Sequence, residues 1–240
     1  MAKPQTVIVT GASQGIGAAI VHSFLDRGYN VVATSRRSSN AGFAPSANLA
    51  LVDGDIGQAA TAEKVIQTAI DRFGTIDHVV NNAGIFSSKP FTDYTLDEFC
   101  TFVSTNLNGF IFITQPAVKK MLSQGTGGSV TTITAALADN PMLGSPASIP
   151  MITKGGLNAI TLSLANEYAQ HKIRFNAVAP GVVNTPMHQN IGKDTQNSRS
   201  PMGTFSEPTD IAEAVVYLTE AGHVTGEVLH VDDGAHVGRW

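Results

Sequence analysis

The sequence predicts a doubly wound α/β domain: a parallel sheet with helices on both faces. Two observations carry this. Seven short apolar runs rich in β-branched residues recur along the 240 residues, and between most of them lie stretches with apolar residues every three or four positions. Apolar strands of this kind suit a sheet buried on both faces, and strand–helix–strand alternation requires parallel neighbours joined by crossovers.

Taken in order, TVIVT (6–10) reads as the first strand, and a glycine-rich turn leads into a helix over 15–27. NVVATS (30–35) is the second strand. The segment 38–48, SSNAGFAPSAN, is short and rich in Ser, Ala and Asn, so no full helix is expected before the third strand at 49–54. Helical periodicity over 59–73 precedes a strand at 77–82, and a long helical stretch over 96–122 precedes one at 129–134. A helix over 151–170, a strand at 173–179, a helix over 208–219 and a strand at 227–232 complete the alternation. No internal repeat or linker interrupts it, so residues 1–240 read as one domain. The polar, weakly periodic stretch at about 187–207 is too long for an ordinary connection and is expected to be a lid over a substrate.

Composition narrows the function. Apolar residues make up 42% of the chain and its net charge is −4, with Arg36-Arg37 its only pair of adjacent arginines. Nucleic acids and anionic membranes select clustered Lys and Arg, so neither is expected as a partner; a small-molecule substrate is. Cys100 is the single cysteine, which rules out an intrachain disulfide and fits a reducing compartment. The start, MAKPQTVIVTGAS, does not read as a signal peptide, and no run approaches the roughly 18 apolar residues needed to span a bilayer. The expected location is the cytoplasm.

TGASQGIG (10–17) sits between the first strand and the first helix. Gly11, Gly15 and Gly17 permit a tight turn, close approach to a pyrophosphate and close helix–strand packing. Glycines after a strand often serve only a turn; the strand–turn–helix placement favours phosphate binding. At the end of the second strand stands Ser35, where an NAD site would place an acid for the ribose 2′-hydroxyl, and Arg36 and Arg37 follow. Guanidinium groups there pair with a 2′-phosphate, so NADP(H) is favoured over NAD(H).

TGASQGIG, Asp55-Ile56, NNAG (81–84), the NLNG stretch holding Asn106, KGG (154–156) and PGVVNTPM (180–187) come in the order and spacing of the short-chain dehydrogenase/reductase family, which the chain resembles over nearly its whole length. The resemblance implies a Rossmann-type sheet of about seven strands and assembly as a homotetramer. It implies that Gly11, Ser13, Gln14, Gly15, Ile16 and Gly17 line the cofactor phosphates and that Asp55 and Ile56 meet the adenine. Asn82, Ala83 and Gly84 would pass the adenosine ribose, while Pro180, Gly181, Val183 and Thr185 would surround the nicotinamide. In the tail, Asp233 stands where the family more commonly has glycine.

The family transfers hydride between a nicotinamide and a carbonyl or alcohol using Asn, Ser, Tyr and Lys. By the resemblance, Asn106 and Lys154 supply two of these, with Lys154 also holding the nicotinamide ribose. Four residues before Lys154, on the same helix face, stands Pro150 in place of tyrosine. A helix capped by Ser148 would accept proline in its first turn, but proline carries no exchangeable proton. Ala135 aligns with the serine; Thr134 would replace it only if the strand ran one residue out of register. His188 titrates near neutrality and opens the lid, which makes it a candidate replacement acid; the other six histidines read as structural or surface groups.

Three readings remain open. One is an NADPH-dependent reductase whose substrate needs no tyrosine, such as an iminium or an activated ketone. The second is an NADP(H)-binding sensor or partner subunit without catalysis. The third, a homologue that binds nothing, has the intact cofactor motifs against it.

Overall fold

The computed structural model describes residues 3–142, 144–187 and 200–237. Its centre is a seven-stranded sheet in the order β3-β2-β1-β4-β5-β6-β7, every neighbouring pair parallel. The strands are β1 (Thr6–Thr10), β2 (Asn30–Ser35), β3 (Leu49–Asp53), β4 (His78–Asn81), β5 (Gly128–Ile133), β6 (Ile173–Pro180) and β7 (Val228–Val231). All seven fall where the apolar runs predict, with ends shifted by no more than a residue or so. Each residue of β1 is buried, as a central strand covered on both faces requires.

One face carries α1 (Gly15–Asp26) and α6 (Pro208–Glu220), which pack against each other. Ile20, Val21 and Phe24 of α1 share a core with Ile211, Val215 and Leu218 of α6. The other face carries α2 (Ala59–Phe73), α4 (Gly109–Gln124) and α5 (Ser148–Tyr168). Val65, Phe73, Ile113, Met121, Leu157 and Phe175 pack there. Phe24 and Phe175 are fully buried, and each such side chain contributes about 1.5–3 kcal/mol of transfer free energy. The segment after β2 holds only a short 3₁₀ turn, Ser38–Asn40, as its composition predicts.

Two boundaries differ from expectation. The stretch read as one helix over 96–122 is α3 (Leu96–Phe102), a π-helical turn over Val103–Asn108, and then α4. A π turn widens a helix locally and turns a side chain off its regular face, which apolar spacing does not reveal. The second concerns α5. Ala147, not Ser148, occupies its N-cap, with no side-chain cap bond, and Ser148 is its first residue. Pro150 still falls in the first turn, where a missing N–H leaves no helical hydrogen bond broken.

The strand order reverses direction of growth between β1 and β4: β2 and β3 extend to one side, β5 to β7 to the other. A sheet of this topology opens a crevice beyond the carboxyl ends of those two strands, and the site lies there.

Candidate active site

The glycine loop joins β1 to α1 across the mouth of the crevice. Gly11 and Gly15 have φ of +66° and +55°, left-handed values that glycine takes without strain. A Cβ on Gly11 would come within 2.8 Å of the Ala83 Cα, and one on Gly17 would run into the Gly11 carbonyl. The loop is tied to β4 from the other side. Thr10 Oγ1 accepts from the backbone N–H of Asn82 (3.1 Å) and Ala83 (3.0 Å). The Asn82 amide donates to the carbonyls of Thr10 (2.9 Å) and Gly11 (3.1 Å). Helix α1 starts with no side-chain cap and no acid in its first turn, so its positive end is open to an anion.

Beyond the loop lies a cavity of about 340 Å³. Gly11, Gln14, Gly15, Ile16, Gly17, Asn82, Ala83 and Gly84 line one end, and Pro180, Gly181, Val183 and Thr185 line its side. Gly181 is required there because a Cβ would meet the Asp232 Cα at 2.8 Å. The far wall comes from Phe86, Ser88, Ala135, Leu137, Asn140, Met142, Ser145, Met187, Ser200 and Thr204. Among the described lining residues the charged ones are Lys154, Asp232 and Asp233.

Lys154 and Asn106 converge on Gly84. A Cβ on Gly84 would lie 3.1 Å from Lys154 Nζ and 3.4 Å from Asn106 Oδ1. The Lys154 ammonium donates to the Ile133 carbonyl at the end of β5 (2.7 Å), and burial pushes its pKa down to about 8. The π turn directs Asn106 inward, where its Oδ1 accepts from the Ile85 N–H (2.9 Å) and its Nδ2 donates to Thr153 Oγ1 (2.9 Å). Thr153 in turn donates to the Pro150 carbonyl (2.7 Å). Pro150 is buried at the start of α5 behind this chain and does not line the cavity.

Ala135 lines the cavity in extended backbone. Its neighbour Thr134 also reaches the lining, with its hydroxyl donating to the Val178 carbonyl (3.3 Å). None of the four tyrosines lines the cavity. Tyr29 donates to Glu220 and Tyr94 to the Ser87 carbonyl. His188 lies outside the described residues, as does most of the expected lid, 188–199.

The remaining expected contacts sit beyond the cavity. Ser35 ends β2 with Arg36 and Arg37 directly after it, and Asp55 and Ile56 follow β3, at neighbouring carboxyl ends of the sheet. Both guanidinium groups are exposed, with no hydrogen-bond or ion-pair partner among the described residues. Ser35 Oγ accepts from Ser38 Oγ (3.0 Å), Asp55 accepts from the Gly57 N–H (2.9 Å), and Ile56 is packed in the core. Ser13 is half-buried and outside the lining. Sequence reasoning missed Thr10 and Thr153. Their signals were a threonine closing the first strand and one beside the lysine, but hydroxyls that bond only to the chain leave no spacing pattern.

The sequence profile of the Enoyl-(Acyl carrier protein) reductase family matches residues 11–236. The chain is 34% identical to an L-rhamnose 1-dehydrogenase (NAD(P)(+)) of Azotobacter vinelandii, covering 97% of both proteins. Among solved structures it is similar to ElxO with NADP bound, with a TM-score of 0.90, 26% identity, and 98% and 100% of the two chains covered. A 3-ketoacyl-(acyl-carrier-protein) reductase from Brucella melitensis complexed with NADH gives a TM-score of 0.89 at 26% identity over 98% and 99%.

Proposed function

The chain belongs to the short-chain dehydrogenase/reductase family, and on that premise we propose that it is an NADPH-dependent reductase acting on a C=N bond, or an activated C=O bond, without a tyrosine acid. The carrying observation is the buried Lys154–Asn106 pair around Gly84, kept beside a position 150 that offers no proton. Asn106 is held there by two contacts to the Ile85 backbone and one to Thr153.

The residues fit a nicotinamide nucleotide. Three glycines leave a cradle that side chains would fill, the uncapped end of α1 faces it, and Arg36 and Arg37, exposed and without a partner among the described residues, would pair with a 2′-phosphate. When bound, the nucleotide supplies the hydride. Lys154 holds the nicotinamide ribose, and Asn106 keeps the Ile85 backbone and the Lys154 neighbourhood in place. Gly181 and Thr185 keep the nicotinamide end open, and Leu137 and Met142 shield the substrate from water.

Tyrosine protonates the oxyanion that forms when a ketone is reduced. Hydride addition to an iminium ion gives a neutral amine and no oxyanion, so Pro150 and Ala135 withhold nothing that step requires. For an activated ketone the proton would come from His188 or water.

The test is NADPH consumption over ketones, diketones and cyclic imines. Turnover of imines with little on simple ketones is the expected result. Tight NADPH binding with no turnover on any substrate would leave an NADP(H)-binding sensor instead. We also expect a homotetramer near 100 kDa, four times 25.1 kDa; light scattering at a monomer mass would refute it.

A further inference from the structure

Asp233 has φ of +54°, one of two non-glycine residues among those described that adopt the left-handed region. Any side chain with a Cβ is disfavoured there, and Asp is among the least disfavoured. Something must hold it. Its Oδ1 accepts from Thr204 Oγ1 (2.8 Å), its Oδ2 from Ser206 Oγ (3.0 Å), and its backbone carbonyl from the Met202 N–H (3.3 Å). Hydrogen bonds to a carboxylate are among the stronger ones proteins make. Three alternate residues of one segment therefore converge on this single residue. The next residue, Gly234, lies against the Pro201 ring, with contacts of 3.6–3.8 Å from an ideal Cβ.

The segment so held forms a wall of the cavity: Ser200 and Thr204 line it, as do Asp232 and Asp233. The wall is braced internally, since Ser200 Oγ donates to the Thr204 carbonyl (2.7 Å) and accepts from its N–H (3.2 Å). At its far end Ser206 donates its N–H to the Val182 carbonyl (3.1 Å), and its own carbonyl accepts from the Asn184 N–H (2.9 Å). Those bonds anchor position 206 to the chain leaving β6. Positions 202 and 204 have Asp233 as their link to the turn after β7. Glycine here would take the same backbone angle freely but would offer neither carboxylate oxygen.

We propose that Asp233 is a specificity-determining residue: by fixing the 200–206 wall it sets how large a substrate the cavity admits. This rests on the reading that the cavity takes substrate beside a nucleotide. It acts through Thr204 and Ser206, so it is a positioning residue and not a catalytic one.

Two measurements decide it, using Asp233→Gly, Asp233→Asn and the double variant Thr204→Val/Ser206→Ala. The first is hydrogen exchange of the 200–206 amides in the full-length protein with NADPH present. We expect exchange at Met202 and Thr204 to quicken at least tenfold in Asp233→Gly and in the double variant. Asp233→Asn, which keeps one acceptor, should restore part of the protection. NADPH affinity should stay within twofold of wild type, because the glycine loop is untouched. The second is a series of cyclic imines of increasing ring size. In Asp233→Gly the KM for the smallest accepted imine should rise about tenfold with kcat within threefold, and larger members should gain relative to it. Unchanged exchange in both variants would overturn the pinning. Faster exchange with an unchanged order of preference across the series would overturn the specificity role. If wild type turned over no member, the proposed reduction would fall and the specificity role with it, while exchange alone would uphold or overturn the pinning.

Discussion

The two ends of the cavity are built differently. At the cofactor end, polar side chains close on the backbone of neighbouring strands: Thr10 and Asn82 together make four hydrogen bonds that lock the glycine loop to β4. Main-chain geometry there admits few substitutions, since added Cβ atoms on Gly11, Gly17 and Gly181 collide with backbone. At the substrate end, the wall comes from residues within 135–142, from Ser145 and from the segment 200–206, and the polar positions of that last segment hold one another. The first end is fixed by the sheet. The second can change its side chains while the sheet stays as it is, as at Ala135, which lines it together with Lys154.

Lys154 belongs to both ends, so removing it should have the largest effect. In Lys154→Met we expect kcat on the best substrate to fall at least about 100-fold, about 2.7 kcal/mol of barrier. Stability should move the other way. The folded pKa of about 8 lies below the 10.5 of an accessible lysine. The unfolded chain therefore holds this proton more tightly, and folding carries a penalty of about 3 kcal/mol that is fully present below pH 8 and is relieved as pH rises to 10.5. Thermal unfolding of the cofactor-free protein should show the variant more stable than wild type at pH 7, with the gap closing towards pH 10. A gap that does not change with pH would mean the ammonium is adequately solvated in the fold.

Next is the rigid end. Gly17→Val places a Cβ against the Gly11 carbonyl and 2.6 Å from Asn82 Nδ2, displacing the amide that holds the loop. NADPH affinity, followed by fluorescence quenching, should drop at least 100-fold, about 2.7 kcal/mol. A variant that bound NADPH normally would show that the loop is less constrained than its contacts indicate.

A smaller effect is expected at Arg36 and Arg37, which the fold leaves exposed. NADPH should bind at least tenfold tighter than NADH, about 1.4 kcal/mol. Replacing both arginines with alanine should remove that preference and leave NADH nearly unchanged. Equal wild-type affinities would sink the NADP assignment.

The same contrast explains what was legible in the sequence. Strand positions, the vestigial 38–48 connection and the glycine loop all follow from main-chain demands that write themselves into residue type and period. Asn106 and Lys154 were singled out by spacing along a resemblance, and the fold brings the two side chains together at Gly84. The π turn that turns Asn106 inward was not, because its hydrogen bonds shift register without altering the apolar pattern. Nor were the bonds from Thr204 and Ser206 to Asp233, which join positions 29 and 27 residues apart through side chains that read as loop polarity. The substrate end is assembled from such contacts.

The smallest effect is expected at Pro150. If the chain were an ordinary ketone reductase damaged at one position, Pro150→Tyr would repair it, since Lys154 stands one helical turn on. The surroundings argue otherwise. Pro150 is buried, does not line the cavity, and offers its carbonyl to Thr153, which holds Asn106. A tyrosine ring must force space among packed neighbours, and such overpacking typically costs about 1–3 kcal/mol. Ala135 would still offer the cavity no hydroxyl. We therefore expect kcat/KM on simple ketones to rise less than about threefold, about 0.65 kcal/mol, with imine turnover unchanged or reduced. A gain of about 100-fold on ketones, from a wild type inactive on every substrate, would mean that the hydroxyl was all the site lacked. The pocket would then be a lesion in an otherwise intact ketone reductase, and the case for a substrate that needs no acid would be lost.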